Sequence, residues 1–384
     1  MNCKIMKKVI FGTALASMAL LSACSADSEL ANVGTTANNA IGFHVVGNKA
    51  ETRATPITPD NLTTTDFNVF AYKNNNGADG DIFMGDNGHE HGLKGVTIKY
   101  TNNKWDYDNP ADLHYWPKDG SLNFYAVSPA SIPEGTTLYS WDIQKGTKTI
   151  AYTCFNEYGL SNGHSNPDVM YAIAKNKTQG KTGMVSLNFQ HILSQVVFQA
   201  KTVNSDMEVD IKDIKIKNFV AGGTFTIPTD GSSPSQSNWK LGEVWKLTAF
   251  TVIKKSDADP IKITGTETTD ISSKTPMLFV PQPLTKWDVT HKTTEADAKG
   301  ESYLIINCKI KQKNDYLHGT ETQYETLYVP FGTSWDPGKR YIYTLIFGGG
   351  YDAQGQSILM PINFEATVEG WKDVTSGNDI NIDK

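Results

Sequence analysis

The stretch GADGDIFMGDNGHEHG gathers Asp79, Asp81, Asp86, His89, Glu90 and His91, carboxylates and imidazoles of the kind that hold a divalent cation. Their spacing matches neither the EF-hand loop nor the glycine-rich calcium repeat. The stretch therefore reads as a solvated loop, and no metal ligand is assigned. His191, in FQHILSQVVF, could move a proton, but it lies at the bend of an apolar strand pattern and reads as a hydrogen-bonded structural histidine. FGGGYDAQG is glycine-rich without phosphate-cradle spacing, and neither GxSxG nor HExxH occurs. No nucleophile can be set beside a base. The chain reads as non-enzymatic and without a cofactor.

Two other residues carry chemistry of a different kind. Lys4, Lys7 and Lys8 precede a short apolar core, Val9 to Leu21, which is below the ~20 residues of a membrane span and fits an export signal. The core ends in Leu21-Ser22-Ala23-Cys24, which resembles the bacterial lipobox, whose thiol is alkylated by diacylglycerol. One acyl chain binds a membrane only marginally, so stable anchoring through Cys24 requires several chains. The second residue is Arg53, one of only two arginines with Arg340. It stands in a polar Gly/Asn/Lys/Thr loop just before Ala54, Thr55 and Pro56, where a protease finds accessible backbone and an arginine-specific one finds few alternatives.

The elements around these residues read almost entirely as strands. Ile41, Phe43 and Val45 alternate with Gly42, His44 and Val46, a short strand ahead of the Arg53 loop. Leu122, Phe124 and Ala126 alternate against Asn123 and Tyr125, and Ile214 and Ile216 against Lys215 and Lys217. Near the C-terminus Ile362, Phe364, Ala366 and Val368 alternate against Asn363, Glu365, Thr367 and Glu369. Short period-two strands between recurring turn signals predict antiparallel β-sandwiches, with Asp108 to Leu113 as a brief helix-like stretch. About 330 residues after the leader suffice for two domains of ordinary size. GMVSLNFQHILSQVVFQAKTV suggests a boundary near residue 184 and a bend at His191 to Leu193. The expected organisation is 1–23 signal, 24–53 lipidated tether with a removable strand, 54–184 N-terminal sandwich and 185–384 C-terminal sandwich. Cys154 and Cys308 share faces with apolar residues and read as small core residues. The net charge of -6 without a basic run excludes nucleic acid as a natural partner.

The lipobox, ETRAT, FNVFAYK, DLHYWPKDGSLNFYAVSP, FQHILSQVVFQAK, WDPGKRYIYTLIF and VEGWKDV occur in the order seen in the fimbrillin family, lipoprotein pilins of Bacteroidetes, and the chain resembles that family over nearly all of its mature length. The resemblance implies two tandem transthyretin-like β-sandwiches. It implies a lipidated precursor at the outer membrane, cut between Arg53 and Ala54 by an arginine-specific protease. Release of the Ile41, Phe43, Val45 strand would then leave a groove that a neighbouring subunit's strand fills, and head-to-tail filling yields an open filament. The implied partners are other fimbrial subunits, the outer membrane through Cys24, the protease, and host or bacterial surface ligands. The segment after Trp371 is short and polar, so Ile362, Phe364, Ala366 and Val368 make the better donor strand. Stalk, tip and basal anchor positions stay open. An alternative from another class is a surface glycan-binding lipoprotein, because eight tryptophans could offer stacking platforms.

Overall fold

The computed structural model describes residues 39–46, 65–85, 95–131, 139–143, 146–154, 166–242, 246–247, 249–272, 277–348, 350–358 and 363–370. Its first ten strands are β1 (Gly42–Val46), β2 (Phe67–Asn75), β3 (Ala78–Met84), β4 (Val96–Thr101), β5 (Lys104–Tyr107), β6 (Leu122–Ser128), β7 (Tyr139–Asp142), β8 (Thr149–Thr153), β9 (Met170–Lys177) and β10 (Met184–Asn188). There follow β11 (Gln190–His191), β12 (Ser194–Thr202) and β13 (Met207–Lys217). A seven-stranded sheet runs β11-β9-β6-β2-β4-β5, with β3 also paired to β2.

This sheet is apolar on both faces. Phe67, Val69, Ala71, Phe124, Ala126, Ala172 and Ala174 share one core with Ile41, Phe43, Val185 and Leu187. Phe70, Tyr72, Tyr125, Val127 and Tyr171 share another with Ile150, Tyr152, Phe225 and Trp239. Leu122, Phe124 and Ala126 alternate with Asn123 and Tyr125 as expected, but all seven residues of β6 are buried, so neither face is solvated. The cause is a second cover. A four-stranded sheet of Trp239–Leu241, Gly222–Thr226, β8 and β7 lies over the Tyr125 face, while β1 and β10 lie over the Phe124 face. A strand buried on both faces reads as a continuous apolar run.

The second sandwich sets two sheets face to face. In one, β12 lies between Thr269–Asp270 with Met277–Phe279 and Lys339–Phe347, and the last strand, Asn363–Gly370, closes the edge. In the other, β13 pairs with Phe250–Lys254, Ile261–Thr264 and Tyr303–Gln312. Val196, Phe198 and Ala200 from the first sheet meet Val209, Ile211, Ile306 and Cys308 from the second in one apolar core. The protein is thus all-β with tandem sandwiches, as the sequence predicts.

Three details differ from expectation. Among the ladders of the described residues, β1 with β10 and β12 with Lys339–Phe347 are parallel, and the others are antiparallel. Among the described residues the α-helix is Thr293–Lys299, closed by Gly300 in the left-handed region at φ 71°, whereas the Asp108 to Leu113 stretch holds only a 3-10 turn over Pro110–Asp112. The expected boundary at 184 cuts through shared structure, because Val185 and Leu187 belong to the core of Ile41 and Phe43, and β8 pairs with Gly222–Thr226 from beyond it. The bend at His191 is where the chain passes from β11, in the seven-stranded sheet, to β12, in the second sandwich, with Ile192 and Leu193 fully buried.

Candidate functional site

The segment Asn39–Val46 occupies a slot lined by strands distant in sequence. Ile41 and Phe43 are 0% and 2% exposed, and Val45 packs half-buried against the same core. Phe43 sits in an aromatic box, with ring centroids 6.4 Å from Phe67, 6.2 Å from Phe124 and 6.1 Å from Tyr107. The first two contacts are edge-to-face, the arrangement that ring quadrupoles favour. Burial of these two side chains contributes about 1.5–3 kcal/mol each.

The backbone of the segment is held from two sides. β10 pairs along its length in parallel register, Gly42 opposite Met184 through Val46 opposite Asn188. On the other side the loop His114–Trp116 grips its start. The Ile41 N–H donates to the His114 carbonyl at 2.9 Å, and the Trp116 N–H donates to the Asn39 carbonyl at 2.9 Å. The Tyr107 hydroxyl donates to the Ile41 carbonyl at 2.9 Å. The Trp116 indole N–H donates to the Gly183 carbonyl, which also accepts from the Gly42 N–H, so the loop and the start of β10 are tied together. Burial pushes the Tyr107 phenol well above its ordinary value of 10.0, partly offset by a backbone hydrogen bond at His114, which keeps its hydroxyl protonated as a donor.

Towards the far end of the chain, Asn363–Gly370 pairs, among the described residues, only with Lys339–Phe347, Phe364 opposite Leu345 and Val368 opposite Tyr341. Ala366 and Val368 pack half-buried on the core, while Glu365 points outward to Lys201 at 3.4 Å. Ile362 lies outside the described residues, as do Cys24, Lys49, Arg53 and Ala54 and, from the acidic loop, Asp86, His89, Glu90 and His91. Asp79 is already engaged, 2.6 Å from the Lys148 ammonium, and Asp81 is exposed. His191 meets the buried Asp168 carboxylate at 3.1 Å. Trp116 and Trp335 are buried and Trp105 packs against Phe67 and Tyr100, so these three indoles serve packing instead of forming exposed platforms. Cys154 and Cys308 are both buried free thiols.

The alternating Ile41, Phe43 and Val45 point to a strand, but the residues that receive them could not be read locally. Tyr107, Trp116 and Gly183 lie 66 to 142 positions away along the chain. The place of Tyr115 and Trp116 in one wall of the slot depends on the tertiary fold.

Sequence comparison assigns the class. Residues 52–371 match the fimbrillin-like family, and the chain belongs to that family. Among solved structures, it is similar to a candidate cell adhesion protein from Bacteroides uniformis at 11% identity and a TM-score of 0.42, covering 88% of this chain and 100% of that one. Another from Bacteroides ovatus shows 12% identity and a TM-score of 0.43, covering 87% and 99%. The fimbrial anchor protein Mfa2 from Porphyromonas gingivalis shows 8% identity and a TM-score of 0.32, covering 86% and 98%. No curated protein matches.

Proposed function

We propose that this chain is a structural subunit of surface fimbriae that is exported as a lipoprotein on Cys24, cut after Arg53, and assembled by strand exchange in support of adhesion. Membership of the fimbrillin-like family supports the fimbrial role at the cell surface. The observation that carries the finer reading is the slot itself. Residues 39–46 complete a core to which they belong only as a separate strand, and the Arg53 loop is their link to the sandwich. Removing them exposes apolar side chains and an unpaired backbone edge, a state that another strand relieves. While the link is intact, the tethered strand acts at high effective concentration and excludes competitors.

Replacement of Arg53 and Lys49 by Ala should leave a folded, lipidated monomer. Wild type treated with an arginine-specific protease should lose its N-terminal peptide and form SDS-resistant ladders. If the double variant polymerises as readily as wild type, residues 41–53 are a linker and strand release is wrong. Cys24→Ala should hold the protein in the periplasm or inner membrane, which fractionation checks. N-terminal sequencing of sheared fimbriae should begin at Ala54. A chain never cut on the cell surface would instead be a basal anchor.

A further inference from the structure

We infer that the peptide bond between Arg340 and Tyr341 is a second, conditional cleavage site for the arginine-specific protease, closed in the folded chain and opened when the second sandwich unfolds. One enzyme then matures folded chains at Arg53 and destroys misfolded ones at Arg340. This rests on the processing reading above and adds to it a check on the fold.

The choice of residue carries the first part. Arg53 and Arg340 are the two arginines, and all the other basic side chains among the 35 Lys and Arg are lysines. Nothing among the described residues uses the guanidinium at position 340. Its Nε is buried without a hydrogen-bond partner, and no ion pair reaches it there. Gln195, opposite it on β12, is fully buried with neither end of its amide hydrogen-bonded. A buried donor left unmade costs stability, and a lysine would carry the same charge with its stem along the same surface. An arginine at this position serves recognition from outside the fold. No bond of its guanidinium has to break before it enters a protease's pocket.

The surroundings carry the second part. Proteases cut exposed, mobile segments, and Arg340 is neither exposed nor at a strand edge. It lies between two ladders, opposite Gln195 on β12 and opposite Glu369 on Asn363–Gly370. Tyr341, across the scissile bond, is 3% exposed, and its hydroxyl accepts from the Asp336 N–H at 2.7 Å. The turn ahead is pinned as well. The Gly338 N–H donates to the Leu193 carbonyl and the Ser194 hydroxyl to the Asp336 carbonyl, both at 2.8 Å. Loss of the last strand alone leaves the β12 ladder and these bonds, so Arg340 is presented only when the sheet itself opens. A cut there severs the strand that joins β12 to the last one, and the sandwich cannot re-form.

The test digests the purified wild-type chain with an arginine-specific endoprotease across a urea series and follows both cuts by mass. Rates are normalised to an unstructured arginine peptide in the same urea. In native buffer Arg53 should be cut, and Arg340 at least about a thousandfold more slowly, as folded-to-open ratios require. Urea should raise the rate at Arg340 exponentially and leave that at Arg53 nearly unchanged. Phe198→Leu, beneath the same sheet with its ring 5.7 Å from Tyr343, should raise the native rate at Arg340 about tenfold. Arg340→Lys should abolish the second cut at every urea concentration and leave the unfolding midpoint unchanged. A large fall in that midpoint would show that the fold does use the guanidinium, and the assignment fails. Equal cutting at both arginines in native buffer, or no cut at Arg340 in the unfolded chain, also overturns it. Resistance of Arg53 with Arg340 behaving as stated defeats the processing reading and leaves the conditional site standing.

Discussion

Lys148 is a fully buried ammonium that reaches the Asp79 carboxylate at 2.6 Å and lies 4.3 Å and 4.8 Å from the ring centroids of Tyr125 and Tyr72. Burial opposes charge on Asp79, but hydrogen bonds from Lys148, Asn123 and Tyr125 outweigh it and hold the carboxyl below its ordinary 3.8. That contribution is full above the unfolded value and fades as pH falls through the lower folded value. Asp79→Ala strands the ammonium and should cost about 3–5 kcal/mol by urea denaturation, whereas removing both partners, Asp79→Ala with Lys148→Met, should cost less. His318 shifts in the same direction for a different reason. Burial lowers its pKa from the ordinary 6.5, opposed in part by Glu325, and its Nε2 has no hydrogen-bond partner among the described residues. The unfolded chain therefore binds a proton first as pH falls below about 6.5, and stability declines from there downward. Thermal unfolding between pH 7 and 5 should show that slope, and His318→Gln should reduce it.

Among the described residues the last strand lies at a sheet edge, and under the proposed strand exchange its availability would govern donation. Ile342 and Thr367 are opposite one another between Lys339–Phe347 and Asn363–Gly370, within the usual reach of a disulfide. Cysteines at both positions should lock the strand in place under oxidising conditions. The locked chain, once cut after Arg53, should accept a donor but provide none, and reduction should restore ladders on gels. Much of this element scale was legible in the sequence. The alternation at Ile41–Val45 shows which residues turn inward, and Ala366 and Val368 face the core as their alternation predicts, since period two is a local property. The ladder partners were not legible, because parallel pairing of β1 with β10 joins residues about 140 apart. The second cover of β6 was missed because Asn123 and Tyr125 read as polar. They are buried through hydrogen bonds to Asp79, which no local pattern reveals. The helix Thr293–Lys299 is too short for a periodic signal.

At the scale of the whole molecule, sequence order and packing part company. The four-stranded sheet takes β7 and β8 from before residue 184 and Gly222–Thr226 and Trp239–Leu241 from after it. A fragment ending near residue 192 would bare Phe70, Tyr125 and Tyr171, which Phe225 and Trp239 cover. Expressed alone, that fragment should show poor hydrogen-exchange protection and a tendency to aggregate. A protected, cooperative fragment would contradict the shared core. The parallel seat of β1 has a consequence for anything built from many copies. A site that accepts its guest in one direction gives a strand-exchanged filament an arrow. One tip ends in an empty trough, the other in a strand with nowhere to go, and the two grow by different chemistry. A locked copy could join only at the strand-bearing tip, where it would end growth, so the ratio of locked to free copies would set filament length.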